Sequence, residues 1–125
     1  MDRRAIDAAP LPTVVLRAGR IAYLNQAAAA LAGRPAAEML GQDLLQFLPA
    51  EDRERVSDRL QRRLRGEKVP EAYEAEAVLD GDRRRFQVHV AVHGADVVVQ
   101  LVDVGDRVVQ RERLMALARL GARIQ

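Results

Sequence analysis

His89 and His93 are the first residues in this chain whose type and spacing suggest chemistry. Four residues apart on a helix, two histidines share a face and can hold one metal ion. These two lie in an alternating run instead, where Phe86, Val88, Val90 and Val92 interleave with Gln87, His89 and His93. On a strand that spacing is about 13 Å, too far for a single ion. No metal site is expected, and His89 remains only as a candidate pocket-lining or pH-sensing group. The chain has no cysteine, which excludes disulfides, thiolate metal sites, iron–sulfur clusters and a cysteine nucleophile. Ser57 is the only serine and Thr13 the only threonine, and neither has a recognisable base or oxyanion loop beside it. No pair of carboxylates has the spacing and apolar setting of general acid–base work. The glycines are scattered at element ends and form no phosphate-binding loop. No residue of this segment is assigned a catalytic role.

The arginine clusters Arg62-Arg63-x-Arg65 and Arg83-Arg84-Arg85 raise the question of nucleic acid. Such binding needs a reading helix or stacking aromatics beside the cations, and neither accompanies these clusters. Twenty Lys and Arg face eighteen Asp and Glu, so the net charge is only +2. The clusters read as solvated charge, partly balanced by Glu51, Asp52, Glu54 and Asp58. Hydrophobic residues make up 49% of the 125 and charged residues 30%, which fits one domain with a buried core. Met1-Asp2-Arg3-Arg4 leads into no apolar run of signal-peptide length, and no stretch approaches the ~18 apolar residues of a membrane span. A soluble cytoplasmic domain without membrane contact is the expectation.

The elements that position these residues are legible in outline. Residues 1–12 form a short N-terminal cap, where Ala5, Ile6 and Ala8 allow a helical turn before Pro10 and Pro12. Thr13 to Leu16 and Ile21 to Leu24 flank Ala18-Gly19 and predict a β-hairpin. Asn25 is a favoured N-cap for the alanine-rich helix behind it, which Gly33 stops. Pro35 suits the first position of a short helix from Ala36 to Leu40, closed by Gly41. Pro49 opens a longer helix with Glu51 and Asp52 in its first turn. On that helix Val56, Leu60 and Leu64 make an apolar stripe, and the arginines mostly lie off it. From Ala72 the period becomes two, with Asp80-Gly81 as a hairpin signal. Val97 to Val104 is a β-branched run expected in the centre of the sheet, covered on both faces. The fold class is α+β, a five-stranded antiparallel sheet with short helices on one face. Residues 106–125 are expected to form a linker helix with Leu114, Leu117 and Ile124 on a short seam that pairs with a second copy.

This order resembles the PAS family. The resemblance runs from about Ile6 to Val108 and rests on three stretches: Val14 to Ala28, Leu48 to Arg53, and Leu101 to Arg107. The first is similar to the opening hairpin and asparagine-capped helix of that family, the second to the start of its long helix. The last strand of the family often closes with Asp, an aliphatic residue and Thr. Asp103 and Val104 match, but Gly105 replaces the threonine, and Asp106 becomes the candidate capping group. Arg113 to Ile124 resembles both the first dimerisation helix of bacterial sensor histidine kinases and the opening helix of a GAF domain.

The resemblance implies a sensory module in signal transduction with a PAS core over residues 13–105. It would form a homodimer and relay a signal through Asp103, Gly105, Asp106 and Arg107 to an output domain beyond Gln125. That output would be a histidine kinase of a two-component system. The alternative is a ligand-free dimerisation or protein-interaction module preceding a GAF or other output domain. Pocket candidates are Tyr23, Val56, Leu60, Phe86, Val88 and His89, between the long helix and the sheet, although an apolar stripe facing a sheet can equally be plain core. Haem-binding members take a histidine from the long helix, and residues 50–65 contain none. The flavin-photoadduct members need the cysteine that this chain lacks, and two Phe, two Tyr and no Trp offer little to stack on a noncovalent flavin. A small organic ligand is the cofactor class left open.

Overall fold

The structure is a computed structural model that describes residues 11–104. Five strands form one antiparallel sheet: β1 (Thr13–Arg17), β2 (Arg20–Leu24), β3 (Ala72–Leu79), β4 (Asp82–His93) and β5 (Asp96–Asp103). Their order across the sheet is β2-β1-β5-β4-β3. The apolar run of β5 therefore sits in the middle, between β1 and β4. Val97 and Val99 on its helix-facing side are buried, while Val98, Gln100 and Val102 on the other side are half-buried. Between β2 and β3 the chain makes α1 (Gln26–Ala32), α2 (Ala36–Met39), two 3₁₀ turns (Leu44–Phe47 and Ala50–Asp52) and α3 (Arg53–Leu64). The expected α+β sheet with short helices on one face is what the chain adopts. The N-terminal residues 1–10 and the linker positions Gly105, Asp106, Arg107, Leu114, Leu117 and Ile124 lie outside the described residues.

Local chemistry sets the turns. Ala18-Gly19 and Asp80-Gly81 each close a two-residue loop with positive φ at both positions, 54° and 78° in the first, 51° and 82° in the second. Such turns match the right-handed twist of the strands they join. Asp tolerates this conformation better than Ala, so the first hairpin carries strain at Ala18 that the second avoids. On the outer edge of β2, the loop before the first 3₁₀ turn completes the edge. Ile21 N donates to Gln42 O at 2.9 Å and Gly41 N to Ile21 O at 2.7 Å. The other edge strand, β3, carries Glu74 and Glu76, charges that discourage pairing with another sheet.

Asn25 does more than cap a helix. Its Oδ1 accepts from Ala28 N at 2.9 Å and from Thr13 N at 3.0 Å, and its Nδ2 donates to Leu11 O at 2.8 Å. Its own N–H donates to Thr13 O at 3.0 Å, and the residue is completely buried. One side chain thus ties the start of β1, the end of β2 and the first turn of α1.

Helix boundaries differ modestly from the sequence reading. Pro35 is the N-cap of α2 rather than its first residue, and α2 ends at Met39. The turn after Pro49 is 3₁₀, and the α-helix begins only at Arg53. The larger correction concerns the inward face of α3. Leu64 is 43% exposed, and Arg63 is buried at 9%. At 100° per residue, position i+8 has drifted roughly 80° from Val56, whereas i+7 lies within roughly 20° of it. The stripe therefore runs Val56, Leu60, Arg63.

Two outcomes follow from these contacts. Asn25→Ala removes a cap and strands the buried Thr13 N–H, so chemical denaturation should show a loss of about 2–4 kcal/mol. Arg17 grips Asp96 through two hydrogen bonds at 2.8 and 3.1 Å, and this hydrogen bonding holds the Asp96 carboxyl below its ordinary range. A depressed carboxyl stabilises the fold fully above its unfolded pKa and loses that effect as pH falls through the folded value. Arg17→Gln should therefore lower the denaturation midpoint slightly at neutral pH, and the difference from the parent should vanish in acid.

Candidate functional site

The sheet's inner face and the helical layer do not meet everywhere. A cavity of about 120 Å³ lies between them, and its wall is almost wholly apolar. Small side chains make the gap. Ala28 and Ala32 of α1 form part of the roof, and Ala75 and Ala77 of β3 part of the floor. Larger groups surround them: Phe86, Val88 and Val90 from β4, Leu101 from β5, Val56 and Leu60 from α3. Phe86 is only 1% exposed and anchors the floor. Three residues with charged side chains also belong to the wall, Arg59 and Arg63 of α3 and Glu76 of β3.

Of the pocket candidates read from sequence, Val56, Leu60, Phe86 and Val88 are brought together here. Tyr23 and His89 are not. His89 pairs with Gln100 and points to the opposite face of the sheet, where it is exposed, because its neighbours Val88 and Val90 take the inward positions. The case of Tyr23 is subtler, since alternation from buried Ile21 predicts an inward Tyr23. A bulge at Ala22 shifts the register, so that Leu16 pairs with Ile21 but Val15 with Tyr23. The extra residue sends Tyr23 outward and Leu24 inward.

The cationic members of the wall were missed in the sequence reading, and the helical phase was the signal that could have found them. Arg63 donates to Pro70 O at 2.6 Å. The Arg59 guanidinium carbon stands 4.5 Å from the centre of the Tyr73 ring, a cation–π contact at the start of β3. Glu76 approaches Arg83 at 3.6 Å and Arg85 at 3.8 Å. The other cluster arginines are paired outward, Arg62 with Asp58 at 3.2 Å, Arg65 with Glu67 at 2.9 Å and Arg85 with Glu74 at 2.9 Å.

Asp103 sits at the end of β5, opposite Phe86 and on the cavity side of the sheet. It forms an ion pair with Arg84, whose guanidinium carbon lies 5.5 Å from the centre of the Phe86 ring. The last residue of the central strand is thereby coupled to the aromatic floor of the cavity. Arg83 makes a second link, reaching Glu51 at 2.8 Å in the turn that leads into α3. No described helix is long and apolar enough to cross a membrane.

Comparison with known proteins places this arrangement. The family profile described as PAS fold matches residues 1–100. The PAS domain of an HTR-like protein from Haloarcula marismortui is 27% identical, with a TM-score of 0.56 over 78% of this chain and 90% of that one. The PAS domain of the Cronobacter turicensis RpfR quorum-sensing receptor, solved in complex with BDSF, is 17% identical. Its TM-score is 0.66 over 79% of this chain and 98% of that one. A domain of a sensory box sensor histidine kinase/response regulator from Geobacter sulfurreducens is 18% identical, with a TM-score of 0.68 over 81% and 90%. The search of curated proteins returned no match. With four-fifths of its length matched by the family profile, the chain belongs to the PAS family of sensory domains.

Proposed function

We propose that this domain senses a small organic molecule held in the cavity between α3 and the sheet. The observation that carries the reading is the cavity itself, about 120 Å³ with alanines where a filled core would have larger groups. A void of this size is comparable to an engineered one of about 150 Å³ that takes up benzene. The RpfR receptor domain, which shares the fold, was solved in complex with BDSF.

The ligand would act by favouring one packing of Phe86 and the end of β5 over another, since only differential binding shifts an equilibrium. Arg84 and Asp103 would carry the change to the residues beyond β5. The segment would work as a homodimer, with Leu114, Leu117 and Ile124 on the pairing helix, and would drive an output domain beyond Gln125. A histidine kinase of a two-component system is the output we favour, in line with the kinase-derived neighbour.

Benzene tests the cavity. Its addition should shift the methyl resonances of Val56, Leu60 and Val88, and Ala75→Leu should abolish the shifts while leaving the fold intact. An unresponsive methyl spectrum would support the ligand-free interaction module instead. Asp103→Ala tests the relay. The ion pair with Arg84 is part-exposed, so its loss should cost about 1 kcal/mol or less in stability. Output activity in the protein carrying this domain should nevertheless stop responding to stimulus, and an unchanged response would remove Asp103 from the relay.

A further inference from the structure

The wall of the cavity contains a charge that the apolar sensor reading does not explain. Arg63 is 9% exposed. A guanidinium stays protonated at any physiological pH, so this is a permanent buried cation. Its bond to Pro70 O uses one of five N–H donors, and among the described residues no carboxylate lies within ion-pair distance of it. Burying a charge costs several kcal/mol unless a counter-charge and hydrogen bonds offset the loss of water.

Arg59 sharpens the point. It lies one turn before Arg63, on the same wall, and like charges at this spacing repel. The helix carries five arginines against two acids. Asp58 pairs with Arg62, and Glu76, the remaining acid of the wall, lies against Arg83 and Arg85. Two arginines of the wall thus have no carboxylate within ion-pair distance among the described residues, and their guanidiniums lie at Pro70 O and over the Tyr73 ring.

We infer that the cavity takes a monoanionic carboxylate, its apolar tail in the void and its carboxylate on Arg63 and Arg59. The two forks offer the parallel N–H donors that a carboxylate accepts. A void of about 120 Å³ admits a tail of about six carbons, by analogy with benzene in a slightly larger cavity. Long chains would require the helical layer to move. The inference rests on the cavity reading above and adds the chemical class of the ligand.

The test compares heptanoate with heptan-1-ol, nearly matched in tail and differing in charge, by calorimetric titration of the whole chain. Heptanoate should bind at least about tenfold more tightly, the scale of a charge-assisted hydrogen bond. Arg63→Met keeps the apolar stem and should erase that preference while benzene still shifts the cavity methyls. Should that variant fail to fold, Arg59→Gln, at a half-buried position, should reduce the preference in its place. Equal binding of acid and alcohol would overturn the anion assignment and leave the cavity reading standing. So would entry of benzene without binding of heptanoate. A cavity closed to all three probes would overturn both.

Discussion

The helical layer is fastened to the sheet at one buried amide. Asn25 accepts from both Thr13 N and Ala28 N and donates to Leu11 O, with no access to water. The N–H groups at a helix start must find partners, and so must those of a strand end that is covered. A single planar amide meets both needs only if β1, β2 and α1 hold one mutual geometry. That geometry directs α1 across the inner face of β1 and β2. From there the short elements that follow can only run over the remaining sheet towards β3. α3 lies opposite β3 and β4, with the cavity between them.

What occupies the space is decided by side-chain size. Alanines on α1 and β3 leave it partly empty, and Phe86 and the valines of β4 line its floor. An unfilled void of this volume costs on the order of 3 kcal/mol, from the loss of about 24 cal/mol per Å³ of contacts. Domains of this kind have a total stability of only about 5–15 kcal/mol. The cost of an empty cavity is thus a sizeable fraction of the whole.

The ion pairs serve geometry more than stability. Exposed pairs contribute little singly. Their positions nevertheless follow a pattern: Arg17 joins β1 to β5, Arg85 joins β4 to β3, and Arg83 joins β4 to the turn before α3. Arg84 differs in that its guanidinium meets both the Phe86 ring and Asp103. That contact links the cavity floor to the end of the central strand through a charge.

The sequence by itself determined whatever depends on near neighbours. Asp80-Gly81 closes a hairpin because two adjacent residues must take positive φ. Asn25 starts a helix because its side chain reaches an N–H three residues on. The alternation from Ala72 to Val92 marks strands because side-chain direction has a period of two. Those local signals, in order, carried the resemblance to the family whose profile the chain matches. Tertiary structure decided what depends on phase and on distance along the chain. One bulge residue, Ala22, turned Tyr23 away from the cavity, and strand alternation turned His89 away. The drift of a 3.6-residue helix replaced Leu64 by Arg63 on the inner wall. Asn25 acquired its second role, and Asp103 its arginine, only when strands distant in sequence came into register. Local rules are read over a few residues, but the face on which a side chain emerges is set by an accumulated angle, and a single inserted residue or a wrongly phased turn reverses it.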